Sequence, residues 1–198
     1  MTRIAVVSAG LSVPSSTRLL ADRLAEAVVR AAHEPVEVDV VELRPLAHPL
    51  ADHLLTGFPT GELAEAIATV RRADALVVVT PVFSASYSGL FKTFFDVLEP
   101  GTLDGKPVLI GATAGTPRHS LVLEHALRPL FTYLHATVAP TGVFAASEDF
   151  GDRGLDERID RAAGELVSLL HGAPARRTRS VEDEFAEPTP FEELLRGA

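Results

Sequence analysis

Three short stretches of the chain gather the small, hydroxyl-bearing and aromatic residues that hold ligands. The first is Ala9-Gly10-Leu11-Ser12-Val13-Pro14-Ser15-Ser16-Thr17-Arg18. Ser12, Ser15, Ser16 and Thr17 run into a predicted helix start, where backbone N–H groups and the positive end of the dipole attract an anion. The hydroxyls add donors and Arg18 offers counter-charge, although N-capping by Ser15 or Ser16 accounts for the same residues. Neither a Walker loop nor a GxGxxG fingerprint fits Gly10 to Arg18. The second stretch, Thr80 to Gly89, sets Ser84, Ala85 and Ser86 between Phe83 and Tyr87. Such a loop either folds over the core or lets backbone approach a flat ring bordered by the two aromatics. Pro81 biases Thr80 toward extended geometry, and a helix start at Ser88-Gly89 would put positive potential near an anionic ring. The third, Ala112 to His119, again places small residues (Thr113, Ala114, Gly115) after an apolar run.

Other chemistries lack their residues. There is no cysteine, hence no thiolate nucleophile or cysteine metal site, and the seven histidines show no HExxH spacing. No GxSxG elbow supports a serine hydrolase. His125 reads as a packing or interface residue rather than a base. Lys92 and Asp96, four apart on one helix face, read as a weak surface pair.

The elements that must position these stretches follow from periodicity. Arg3 to Ser8 and Ala75 to Thr80 are buried strands, while Val36 to Val40 alternates apolar and acidic residues as an edge strand does. Pro107 to Thr113 is a fourth strand, and Thr137 to Ala145 a fifth, irregular one carrying Pro140 and Gly142. Helical spacing predicts helices from about Ser15 to Ala31, Gly61 to Arg72, Leu90 to Leu98, Arg118 to Leu134 and Leu155 to Leu170, with residues 44–60 mostly loop. Five strands alternating with five helices imply an α/β doubly wound parallel sheet with helices on both faces. The order 2-1-3-4-5 puts the half-solvated second strand and the irregular fifth at the edges and is flavodoxin-like. Its switch point lies between strands one and three, where the three stretches meet.

The 198 residues, 46% of them hydrophobic, suit one domain over residues 1–171. Residues 172–198 differ: Arg176, Arg177 and Arg179 precede six acidic residues interspersed with Phe185, Phe191, Leu194 and Leu195. They read as a charged tail or as an arm docked on a neighbouring subunit. A formal net charge of -9 argues against general nucleic-acid affinity. No apolar run is long enough to span a bilayer and no signal peptide opens the chain, so a cytoplasmic location is expected.

Thr80-Pro81-Val82-Phe83-Ser84-Ala85-Ser86-Tyr87-Ser88-Gly89-Leu90-Phe91-Lys92 with Asp96 resembles the signature of NAD(P)H-dependent FMN reductases, close to the alkanesulfonate type. Ala114-Gly115-Thr116 with His119, Ala126 to Leu130 and Gly142-Val143-Phe144 extend the likeness over about residues 3–170. The tail resembles that of reductases encoded beside luciferase-like flavin monooxygenases. The resemblance implies hydride transfer from NADPH or NADH to FMN, with reduced FMN passed to a partner monooxygenase. It places FMN phosphate on Ser15, Ser16 and Thr17, with Gly10 and Ser12 beside it. The ring would lie on Pro81, Val82, Phe83 and Ser84, near Tyr87, Thr113, Ala114, Gly115 and His119. It implies a homodimer or homotetramer and names no catalytic side chain and no metal. Two departures stand out: Ser12 and Val13 occupy the place where the family often has an arginine, and His125 replaces a fourth-helix tyrosine. An FMN-retaining quinone or azo reductase, or a non-enzymatic electron carrier, fits the same fold.

Overall fold

The computed structural model describes residues 1–172, so the readings of the tail lie outside the described residues. Four parallel strands form the centre of the sheet: β1 (Thr2–Ser8), β2 (Val36–Glu42), β3 (Ala75–Phe83) and β5 (Pro107–Ala114). They run in the order β2-β1-β3-β5, and two short strands, β6 (Thr137–Val138) and β7 (Val143–Ala146), both add in parallel to β5. The predicted order is therefore present. The strands number seven rather than five, because Ala139 to Gly142 interrupt the fifth and because β3 turns back into β4 (Ser86–Tyr87).

Strand periodicity sorts the core into two layers. Ile4, Val6, Val77, Val79 and Leu109 meet α1 (Ser16–Ala31) and α6 (Arg153–Gly172) through Leu20, Leu24, Val28, Leu155, Ile159 and Leu166. Ala5, Val7, Leu76, Val78 and Ile110 face the opposite layer, built from α2 (Ala47–Thr56), α3 (Gly61–Arg72), α4 (Gly89–Asp96) and α5 (Arg128–Tyr133). Rings hold that second layer: Phe91 lies 4.8 Å from Phe95, and Phe95 meets Phe131 edge-on at 4.9 Å. Tyr87 packs 5.9 Å from Phe91, which ties the β3–β4 hairpin to α4.

Two expectations are corrected. Residues 44–60 contain the helix α2: Pro49 is its third residue, in the first turn, where a missing N–H costs no intrahelical bond. The helix expected from Arg118 to Leu134 is broken into a 3-10 turn (Pro117–His119), a single π turn (Leu123–Leu127) and the short α5. Pro129 cannot donate toward the carbonyl of His125, and the backbone widens upstream, with Arg128 N–H bonding Leu123 O. Arg128 then staples this turn to the gap in the fifth strand. Its guanidinium grips Glu124 at 2.6 and 2.9 Å and donates to the carbonyls of Ala139 and Pro140. The same hydrogen bond from Arg128 holds the Glu124 carboxyl below the usual carboxylate range.

Candidate functional site at the carboxyl ends of the strands

The loops after β1, β3 and β5 converge on one edge of the sheet. In the first, Ser15 caps α1, its Oγ accepting the Arg18 N–H at 3.2 Å. Gly10 is required by this closure, since a Cβ there would lie 2.1 Å from Ser15 Oγ. The N–H groups of Ser16 and Thr17 precede the first intrahelical bond, Leu19 N to Ser15 O. Ser12 and Ser16 are exposed, and their hydroxyls make no hydrogen bond among the described residues. The Thr17 hydroxyl is engaged otherwise: it meets Thr113 Oγ1 at 2.8 Å, both buried, joining the first loop to the end of β5. Arg18 is drawn aside by Asp22 at 2.7 Å and by Glu42, and the Asp22 hydrogen bond pushes its guanidinium above its ordinary value. The capping reading of Ser15 thus holds, and the Ser16 and Thr17 amides and the Ser12 and Ser16 hydroxyls are left as uncommitted donors beside it.

The second loop is a hairpin. β3 continues through Pro81 to Phe83, because pairing with β1 stops at Val79 and the strand is one-sided beyond it. Phe83 pairs with Ser86 and Val82 with Tyr87, which leaves Ser84 and Ala85 as a two-residue turn. Both have positive φ, 48° and 66°, the geometry of a type I′ turn that usually takes Asn-Gly. Holding two residues with a Cβ there costs roughly 1–2 kcal/mol each. Beneath the turn, buried Thr80 accepts the Ser88 N–H at 3.0 Å and donates to Pro81 O, while Ser88 Oγ caps α4 through the Phe91 N–H at 3.2 Å. Thr80 and Ser88 therefore set the height of the hairpin over α4, a role their residue types alone do not reveal. Lys92 and Asp96 form the expected surface pair on α4.

In the third loop Ala114 is half-buried and Gly115 to His119 are exposed. Between this loop and the hairpin opens a cavity of about 320 Å³, lined by Ala85, Ser86, Arg118, His119, Val122 and His125 among others. A larger one of about 490 Å³ lies at the opposite end of the sheet, bordered by Thr2, Ala32, His33, Asp74 and His171. The candidate residues thus come together at the carboxyl edge: Gly10, Ser12, Ser15, Ser16 and Thr17 on one side of the crevice, Pro81 to Tyr87 and Thr113 to His119 on the other. Arg118 is the member that sequence reading left without a role. Among the described residues no cluster of carboxylates and histidines could hold a metal, and no helix is long and apolar enough to cross a membrane.

The profile of the family described as NADPH-dependent FMN reductase matches residues 2–151. The chain is 37% identical to the NADH-dependent FMN reductase SfnF of Pseudomonas fluorescens, over 86% of this chain and 92% of that protein. It is also 37% identical to an FMN reductase (NADPH) of Pseudomonas aeruginosa, over 86% and 93%. The solved structure of an oxidoreductase from Corynebacterium diphtheriae superposes with a TM-score of 0.84 at 50% identity, covering 88% of this chain and 99% of that one. The chain belongs to the NADPH-dependent FMN reductase family.

Proposed function

We propose that this member of the family transfers a hydride from NAD(P)H to FMN, in the crevice between the loops after β1, β3 and β5. The observation that carries the site is the pairing of an anion cradle with a strained, outward-facing hairpin across the switch point of the sheet. The residues fit FMN. Ser16 and Thr17 amides with the Ser12 and Ser16 hydroxyls supply uncommitted donors for a phosphate, and Phe83, 48% exposed, borders a surface for a ring. FMN supplies the redox chemistry when bound, as the two-electron acceptor. The chain supplies position: Gly10 and Ser15 hold the cradle closed, and Thr80 and Ser88 fix the hairpin. Backbone N–H groups near Ser84 and Gly115 stabilise negative charge beside the ring. No side chain is assigned as acid, base or nucleophile.

The alkanesulfonate-type resemblance extends the reading to a cytoplasmic enzyme that hands reduced FMN to a flavin-dependent monooxygenase. A second copy of the chain is part of it. Tyr133, 81% exposed at the end of α5, is apolar surface that an oligomer would cover.

Steady-state oxidation of NADH and NADPH against FMN, riboflavin and quinones tests this, beside a visible spectrum of the purified protein. Oxidation that saturates with added FMN supports it. A protein that stays yellow and prefers a quinone is a retaining reductase, and the absence of any flavin-dependent oxidation overturns the reading. The double variant Ser12→Ala/Ser16→Ala, which leaves the cap and the Thr17–Thr113 bond intact, should raise the KM for FMN about tenfold and that for riboflavin less than twofold. Equal losses would refute the phosphate cradle.

A further inference from the structure

Of the ionisable residues lining the cavity between the hairpin turn and the segment after β5, only His119 is placed near the flavin ring; Arg118 and His125 have no role there. Its ionisable lining is Arg118, His119 and His125, without a carboxylate, in a chain of net charge -9. Three other cavities carry acids: Glu34 and Asp74 in one, Asp96, Glu99 and Asp104 in the second, Asp39, Glu42, Glu62 and Glu65 in the third. The guanidinium of Arg118 is also uncommitted. Arg3, Arg18, Arg23, Arg30 and Arg128 are each held by a carboxylate; Arg118 makes no ion pair or hydrogen bond among the described residues, a freedom it shares with Arg44, Arg71, Arg153, Arg158 and Arg161, but it lines this cavity. Glu124, an acid close in sequence, does not neutralise it, because both its oxygens are taken by Arg128.

From this we infer that the cavity is a phosphate subsite for the nicotinamide dinucleotide, with Arg118 as its anchor and His125 as a second N–H donor. The inference rests on the reading proposed above and adds where the co-substrate is gripped. Ala85 and Ser86 belong both to this cavity and to the hairpin read as the ring surface. A dinucleotide with its nicotinamide on the flavin has its phosphates within reach of the cavity. The chain carries no glycine fingerprint for a pyrophosphate, and the cradle at α1 is occupied by the FMN phosphate in this reading, so the anion must be met by side chains. Arginine suits that role through its fixed fork of donors.

The test titrates NADP⁺ and NAD⁺ calorimetrically into the FMN-loaded protein, in the wild type and in Arg118→Ala, Arg118→Lys and His125→Ala, and measures FMN affinity and thermal midpoint alongside. Arg118→Ala should weaken dinucleotide binding about tenfold or more, Arg118→Lys less, with FMN affinity and midpoint unchanged. A loss for NADP⁺ alone assigns the subsite to the 2′-phosphate, and a loss for both assigns it to the pyrophosphate. Either outcome supports the inference. Wild-type binding of FMN and dinucleotide that Arg118→Ala leaves intact overturns the subsite while the functional reading stands. Failure of the wild-type protein to bind FMN overturns the functional reading and the subsite with it.

Discussion

The two ends of the sheet use polar groups in opposite ways. At the amino ends of the strands two charged side chains are committed to backbone partners. Lys106, fully buried, donates to the carbonyls of Val70 and Arg71 at the end of α3, and Asp74 takes the Arg3 N–H at 2.8 Å. At the carboxyl ends, Ser12, Ser16 and Arg118 face outward uncommitted, and the backbone at Ser84 and Ala85 sits in a costly conformation. The larger cavity, about 490 Å³, nonetheless lies at the amino ends. The proposed site is marked by uncommitted donors and backbone strain rather than by volume.

That contrast predicts where substitutions act. Lys106→Ala should have the largest effect and the wrong kind for catalysis. Loss of the buried stem and of the cap on α3 should cost about 3 kcal/mol or more, a fall of roughly 6–12 °C in thermal midpoint, while flavin and dinucleotide KM stay within about twofold. A change in flavin affinity at unchanged stability would break the division between the two ends. Gly10→Ala should do the reverse. Its Cβ displaces Ser15 Oγ, so FMN affinity should fall about tenfold while stability drops only by about 1 kcal/mol, the worth of a lost cap. Replacing Ser84-Ala85 by Asn-Gly should raise unfolding free energy by about 1–2 kcal/mol, read in denaturant titration; no gain would mean that the turn stores no strain.

Much of the sheet was legible in the sequence, and less of the loops at its carboxyl ends. Apolar runs at Ile4 to Val7 and Ala75 to Val79, against the acidic alternation of Val36 to Val40, were enough to order the sheet, because burial on two faces or one leaves different patterns. Helix α2 was obscured by Pro45, Pro49 and Pro59, since a proline count does not say that Pro49 falls in a first turn. The I′ turn was hidden because Ser-Ala is not a pair that favours it; the fold imposes the geometry against local preference. Residue type flagged Thr17 and Thr113, but a bond between residues 96 apart in sequence exists only once β1 and β5 flank β3. Arg118 looks like any surface arginine until the acids lining the other cavities are seen.

The interrupted fifth strand bears on how copies of the chain can meet. A long flat edge invites strand addition from another molecule. Here one edge offers a two-residue and a four-residue piece separated by a segment containing Pro140. The other edge, β2, carries Glu37, Asp39 and Glu42, so a second β2 laid against it would set like charges opposite one another. Both margins of the sheet therefore resist templated growth into fibrils, and association is steered to helical and loop faces, where its extent is finite.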